Sequence, residues 1–242
     1  YGTNVVAGVT PGRKGEVIQG IPVYDTVEEA AEKEGPLDAS VIFIPAPRVK
    51  EAAFEALVRA ASDIVSAKDP YTAGHQRRVT QLAGVIARDM DLPGAQIAGI
   101  RVAGLLHDIG KISIPTEILS KPGLLNDVEM SMIRTHPKVG YDILKTIEFQ
   151  WPVAEIVLQH HERLDGSGYP LGIRGDDILL EARILAVADT VEAMSSHRPY
   201  RPSVGIDKAL EEITRGEGTL YDPRVVRACV EAFTKRNFEF EE

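Results

Sequence analysis

The sequence predicts a mainly α-helical protein: a helical bundle preceded by a small, truncated α/β segment. Two observations carry this. From about Arg48 onward, apolar residues recur at helical spacing in one segment after another. Before that point, short β-like runs alternate with turns.

Taken in order, Asn4 to Val9 reads as a buried strand, followed by a Thr10–Gly15 loop. Ile21-Pro22-Val23-Tyr24 is a second, weaker strand. Asp25 to Glu29 has the acidic first turn of a helix that runs to about Lys33. Ala39 to Pro45 is the clearest strand, continuous and apolar as in a parallel sheet. Then Ala53, Leu57, Ala60-Ala61 and Ile64-Val65 mark a helix in which the two textures meet, near residues 48–58. Val79, Leu82-Ala83 and Ile86-Ala87 mark another, and Ile97, Ile100, Ala103 and Leu106 the next. Further helices are expected over 128–134, 139–144, 153–159, 179–194, 206–213 and 224–233. Pro and Gly punctuate the turns at Leu92-Pro93-Gly94, Lys121-Pro122-Gly123 and Gly166 to Pro170.

The chain has 242 residues, 44% hydrophobic and 26% charged, as expected of a globular protein. No apolar run is long enough to cross a bilayer. The lone Cys229 sits in an apolar helical pattern and reads as a core residue, so no disulfide framework is expected. A cytoplasmic location fits these features. Residue 1 is Tyr rather than Met, so the sequence reads as a fragment or a processed chain. The net charge of −9 argues against a long basic surface for duplex nucleic acid.

The six histidines are His75, His107, His136, His160, His161 and His197. His107-Asp108 closes an apolar helix before Ile109-Gly110, and His160-His161 closes another before a polar turn. Adjacent residues point about 100° apart in mid-helix but are freer at a helix end. Each pair is therefore placed where two successive side chains reach one metal cluster. Asp108 has two oxygens with which to bridge two ions. Asp189 is a carboxylate inside an apolar helical stripe, where burial is costly unless it pairs or ligates a cation. A single histidine is more often structural than ligating, but five with two aspartates in this pattern favour a metal site. Neutral imidazole and carboxylate suit iron, manganese or zinc. His197 reads as a surface or supporting residue.

These segments resemble the HD-GYP family, a branch of the HD-domain metal-dependent phosphohydrolases. The resemblance covers about residues 55–237. It rests on Lys68 to His75, His107-Asp108-Ile109-Gly110-Lys111, Thr135-His136-Pro137, His160-His161-Glu162-Arg163-Leu164-Asp165-Gly166-Ser167-Gly168-Tyr169-Pro170, Asp189-Thr190 and Arg198-Pro199-Tyr200-Arg201. It implies an HD-type helical bundle over 54–242 that hydrolyses cyclic di-GMP to pGpG or GMP by attack of a metal-activated hydroxide. It implies His75, His107, Asp108 and Asp189 around one metal. Asp108 would bridge to a second metal held by His136, His160 and His161. Some members hold a third metal with a Glu one turn before the first His. Tyr71 stands there here, so two divalent ions are expected, iron or manganese first, with zinc, cobalt or nickel also suited. Lys111 is expected to bind the phosphate and assist the leaving oxygen. Arg198, Arg201 and Tyr169 are expected to contact substrate. Glu162 and Asp165 are expected to orient ligand imidazoles. Other readings are an HD phosphohydrolase on another cyclic dinucleotide or nucleotide, or a silent cyclic di-GMP sensor.

Residues 1–53 resemble the middle of the CoA-binding domain of the succinate–CoA ligase α subunit, a Rossmann-like domain. The resemblance is carried by Tyr1 to Gly12 and Ser40 to Pro47. The first strand with its Gly-rich turn and the catalytic domain of that subunit have no counterpart, so no ligase activity is expected. The Thr10–Lys14 loop is the one place where CoA binding would be sought. The segment would leave sheet edges to cover; it is expected to pack on the bundle, to form a homodimer, or to be an accident of gene fusion.

Overall fold

In the computed structural model, residues 6–9, 14–18, 20–24, 27–35, 46–68, 74–196 and 204–240 are described. The chain divides into two compact units, Tyr1–Ala56 and Leu57–Glu242.

In the first unit β1 (Gly8–Val9) pairs parallel with β3 (Ile21–Tyr24), and β2 (Val17–Ile18) pairs antiparallel with it. Strand order is β1-β3-β2. Helix α1 (Val27–Glu34) follows. The first strand is shorter than the expected Asn4–Val9, because only Gly8 and Val9 pair within the described residues. β2 was not foreseen, since two exposed residues carry no alternation. The expected strand at 39–45 lies outside the described residues. So does most of the Thr10–Lys14 loop.

Helix α2 (Ala46–Lys68) contains the division between the units. The second unit continues with α3 (His75–Asp89), α4 (Gly94–Leu106), a 3-10 turn (Ile109–Ser113) and α5 (Thr116–Leu119). Helices α6 (Asp127–Ile133), α7 (His136–Leu144) and α8 (Val153–Gln159) come next. A second 3-10 turn (Gly175–Asp177) leads to α9 (Leu180–Ser195), α10 (Ile206–Arg215) and α11 (Pro223–Lys235). The mainly helical class is as the periodicity predicted.

The core gathers where α3, α4 and α9 meet. Leu82, Ile86, Ile100, Ile184 and Leu185 are fully buried there, each contributing roughly 1.5–3 kcal/mol by leaving water. Gly104 permits the close approach of α4 to α3, for a Cβ there would lie 2.7 Å from Thr80 Oγ1. Cys229 is buried in α11, and burial raises its thiol pKa to about 12. It is the core residue the sequence suggested. Among the described residues no helix is long and apolar enough to cross a membrane.

Candidate metal centre

Helix ends build the site. The last carbonyls of a helix have no amide partner within it. At the end of α4, His107 Nδ1–H donates to Gly104 O at 2.6 Å. At the end of α8, His160 Nδ1–H donates to Val157 O at 2.6 Å. His136, at the start of α7, donates to Ile133 O at the end of α6, 2.7 Å away. Each ring thus caps a carbonyl three residues back. The same bond fixes the tautomer and leaves the Nε2 lone pair for a metal.

His75 opens α3 and is held by a different device. Its Nδ1 bonds a Glu192 carboxylate oxygen on α9. Glu192 is itself fully buried and receives Arg78 Nε at 2.8 Å and Ser196 Oγ at 2.7 Å. The sequence reading missed Glu192 and Arg78. The signal was present: Glu192 is a second acid in the apolar stripe, three residues past Asp189.

The seven residues expected at the metals converge. His75, His107 and Asp189 place one donor atom each within 4.8 Å of one another, as do His136, His160 and His161. Between the trios lies Asp108. Its Oδ2 is 3.5 Å from His107 Nε2 and 3.8 Å from His75 Nε2, and its Oδ1 is 3.5 Å from His136 Nε2. One oxygen therefore faces each trio. His136 and His160 bring their Nε2 atoms to 3.3 Å, and His75 Nε2 is 3.2 Å from Asp189 Oδ1.

The electrostatics favour cations. Burial works against charge on both aspartates, yet Lys111, His107 and His136 hold Asp108 well below the usual carboxylate range. His75 does the same for Asp189. Burial pushes His136 down to about 4 and His161 to about 3, so both are neutral at neutral pH, the form able to ligate a metal. His75 is the exception: burial lowers its pKa, but Asp189 and Glu192 outweigh that and raise it to about 9. A metal arriving there displaces a proton. The residues fit divalent ions on a further count. His107 Nε2 is buried without a hydrogen-bond partner, a costly state that a metal relieves.

Lys111, on the 3-10 turn, sets its Nζ 2.7 Å from Asp108 Oδ2. The turn lies hard against α7, for a Cβ on Gly110 would come within 2.0 Å of His136 O. The 166–170 turn folds back on the His160-His161 pair in the same way. A Cβ on Gly168 would lie 2.4 Å from Glu162 Cα, and Tyr169 N donates to His161 O at 3.2 Å. The Tyr169 ring stacks on His161, with Arg134 5.4 Å from its centroid on the ring face. Burial, with Asp189 nearby, keeps its hydroxyl protonated.

Two expected roles are corrected. Glu162 accepts the Leu171 and Gly172 amides at 2.7 and 3.2 Å, and Asp165 accepts the Ser167 amide at 2.9 Å. Both carboxylates shape the loop; carbonyls orient His107, His136 and His160, and Glu192 orients His75. Arg198, Arg201, His197 and Tyr71 lie outside the described residues.

A helical bundle that gathers imidazoles from its helix ends around two aspartates defines a class of proteins able to hold divalent metals. The chain belongs to the HD-domain family, whose model, described as "HD domain", matches residues 59–225. A CoA binding domain model matches residues 1–67. The chain is 41% identical over 182 residues to the 3'3'-cGAMP-specific phosphodiesterase 3 of Vibrio cholerae, covering 75% of this chain and 40% of that one. It is 40% identical over 196 residues to the cyclic di-GMP phosphodiesterase response regulator RpfG of Xanthomonas campestris, covering 80% and 50%. It therefore spans about half, or less, of the length of these relatives. A solved cyclic GMP-AMP specific phosphodiesterase of V. cholerae matches with a TM-score of 0.51 and 31% identity, over 87% of this chain and 47% of that one. The Listeria monocytogenes PgpH HD domain shares the fold at TM-score 0.51 and 20% identity, over 74% of this chain and 99% of that one.

Proposed function

We propose that the helical unit is a metal-dependent phosphodiesterase that hydrolyses cyclic di-GMP to pGpG or GMP. The observation that supports this most is Asp108 between two trios of converging donors, in a chain whose homologues are phosphodiesterases of cyclic dinucleotides. In this reading His75, His107, Asp108 and Asp189 hold one ion, and Asp108, His136, His160 and His161 a second, iron or manganese. Bound divalent ions would supply Lewis acidity and lower the pKa of water toward neutrality.

The chain's own groups do the rest. Water adds to phosphorus and releases a proton to solvent, the bond from phosphorus to the 3′ oxygen breaks, and that oxygen takes up a proton. Lys111, beside Asp108, binds a phosphate oxygen and is the proposed proton donor to the leaving oxygen. Tyr169, protonated and stacked on His161, offers a hydrogen-bond donor at the mouth. Arg198 and Arg201, carried over from the resemblance, receive the remaining phosphate charge. Residues 1–53 stand as a partial CoA-binding-like segment preceding this unit.

A second reading replaces cyclic di-GMP by 3'3'-cGAMP, on the strength of the V. cholerae relative named for that substrate. The two ligands differ in one base, so the metal centre is common to both. Anaerobically prepared protein, its manganese and iron measured, is assayed with each dinucleotide. Formation of pGpG or GMP is expected. Hydrolysis of 3'3'-cGAMP alone would select the second reading, and a filled centre that turns over neither would end both. His136→Ala should abolish turnover and lower the metal content.

A further inference from the structure

Helices α2, α3 and α4 and the tail after α11 line a solvent-open cavity of about 680 Å³ that shares no residue with the metal centre. Its volume is in the range of small-molecule sites. Four arginines from three helices line it: Arg59 on α2, Arg77 and Arg88 on α3, and Arg101 on α4. Among the described residues none of the four lies within 4 Å of a carboxylate, whereas Arg78, Arg183, Arg224 and Arg236 each do. Asp63 and Glu239 are the acids of the lining. The balance is positive, in a chain whose net charge is −9.

The wall also carries a buried donor. Gln76 is 3% exposed, and its Oε1 accepts from Ser66 Oγ at 3.2 Å. Its Nε2 is buried without a hydrogen-bond partner. A buried amide donor left unmet is destabilising, and an acceptor-only group such as a phosphate oxygen relieves it. Arginine forks suit the same oxygens. Phe238 and Leu105 add an apolar wall for a flat ring.

We propose that this cavity is a second ligand site, for a phosphorylated molecule of nucleotide size, separate from the metal centre. Its ligand would act on that centre through two helices. Gln76 directly follows His75 at the start of α3. Arg101 and Leu105 lie on α4, which ends against His107. An occupant drawing Gln76 and Arg101 together shifts the helix ends from which both histidines project.

The full chain is titrated by calorimetry with GTP and with inorganic pyrophosphate, as are Arg77→Glu/Arg101→Glu, Phe238→Ala and His136→Ala. GTP should bind the wild type and His136→Ala alike, and at least tenfold more weakly to the double variant. Arg77 and Arg101 are exposed, so the double variant should melt with the wild type. Phe238→Ala should weaken GTP and leave pyrophosphate unchanged. No GTP binding at millimolar concentration overturns the site. So does binding that His136→Ala removes and the double variant keeps, which places the ligand at the metal centre. These binding readouts need no turnover, so they stand or fall apart from the proposed hydrolysis.

Discussion

The Tyr169 ring lies on the His161 ring, centroids 4.7 Å apart and 29° from parallel. A residue of the Gly-Tyr-Pro turn is thereby fixed against a donor of the candidate metal centre. What holds the turn in place is Glu162, whose buried carboxylate takes two amides just beyond Pro170.

Replacing Glu162 by Ala leaves the Leu171 and Gly172 amides without that acceptor. A loss of about 2–4 kcal/mol is expected, read as a lower denaturation midpoint. Turnover should fall with it, because Tyr169 is no longer held on His161. An unchanged midpoint would show that the loop finds other partners.

Glu192 holds His75 without itself belonging to either trio of donors. Glu192→Gln keeps the shape and removes the charge that sets the His75 ring. Metal affinity should drop about 10–100-fold, measured by competition with a chelator, while the fold survives. Equal affinity in the variant would mean that Asp189 alone orients the ring.

In the metal-free protein the buried histidines give stability a maximum in pH. His136 and His161 have folded pKa values of about 4 and about 3, below the 6.5 of the unfolded chain. The unfolded state takes up those protons first, so stability falls as pH drops from about 6.5 toward 4. His75 works the other way. Its folded value of about 9 lies above 6.5, so its contribution is full below 6.5 and lost as pH rises through 9. Melting temperatures of chelator-treated protein should peak near pH 6.5. Added divalent metal should flatten the alkaline side, because it displaces the His75 proton. A monotonic profile would contradict this balance.

Gly110→Ala inserts a methyl within 2.0 Å of His136 O. The contact is backbone, so the 3-10 turn must move. A cost of about 1–3 kcal/mol is expected, with a loss of metal as Asp108 leaves its position between the trios. Retained metal content with normal stability would show that the turn yields elsewhere.

Much of this was legible in the sequence. Helical spacing located α2 to α4 and α6 to α11, and the pairs His107-Asp108 and His160-His161 read as helix ends where α4 and α8 do stop. Less visible were elements that periodicity cannot register, such as the short β2 and the 3-10 turn that carries Lys111. Glu162 and Asp165 were misread for a related reason. Neighbourhood in sequence to a histidine suggested an imidazole partner, but the chain turns so sharply at Gly166 and Gly168 that both carboxylates meet loop amides first.

By itself the sequence determined the class of the protein, a mainly helical bundle, and the donor types it brings to a metal. Both follow from local rules: a 3.6-residue period, and side chains whose chemistry does not depend on the fold. Tertiary structure alone decided that Asp108 turns one oxygen to each trio, that Glu192 crosses from α9 to His75, and that four arginines from three helices share one cavity. Those relations join residues up to 117 positions apart, and only the packing of one helix on another sets such distances.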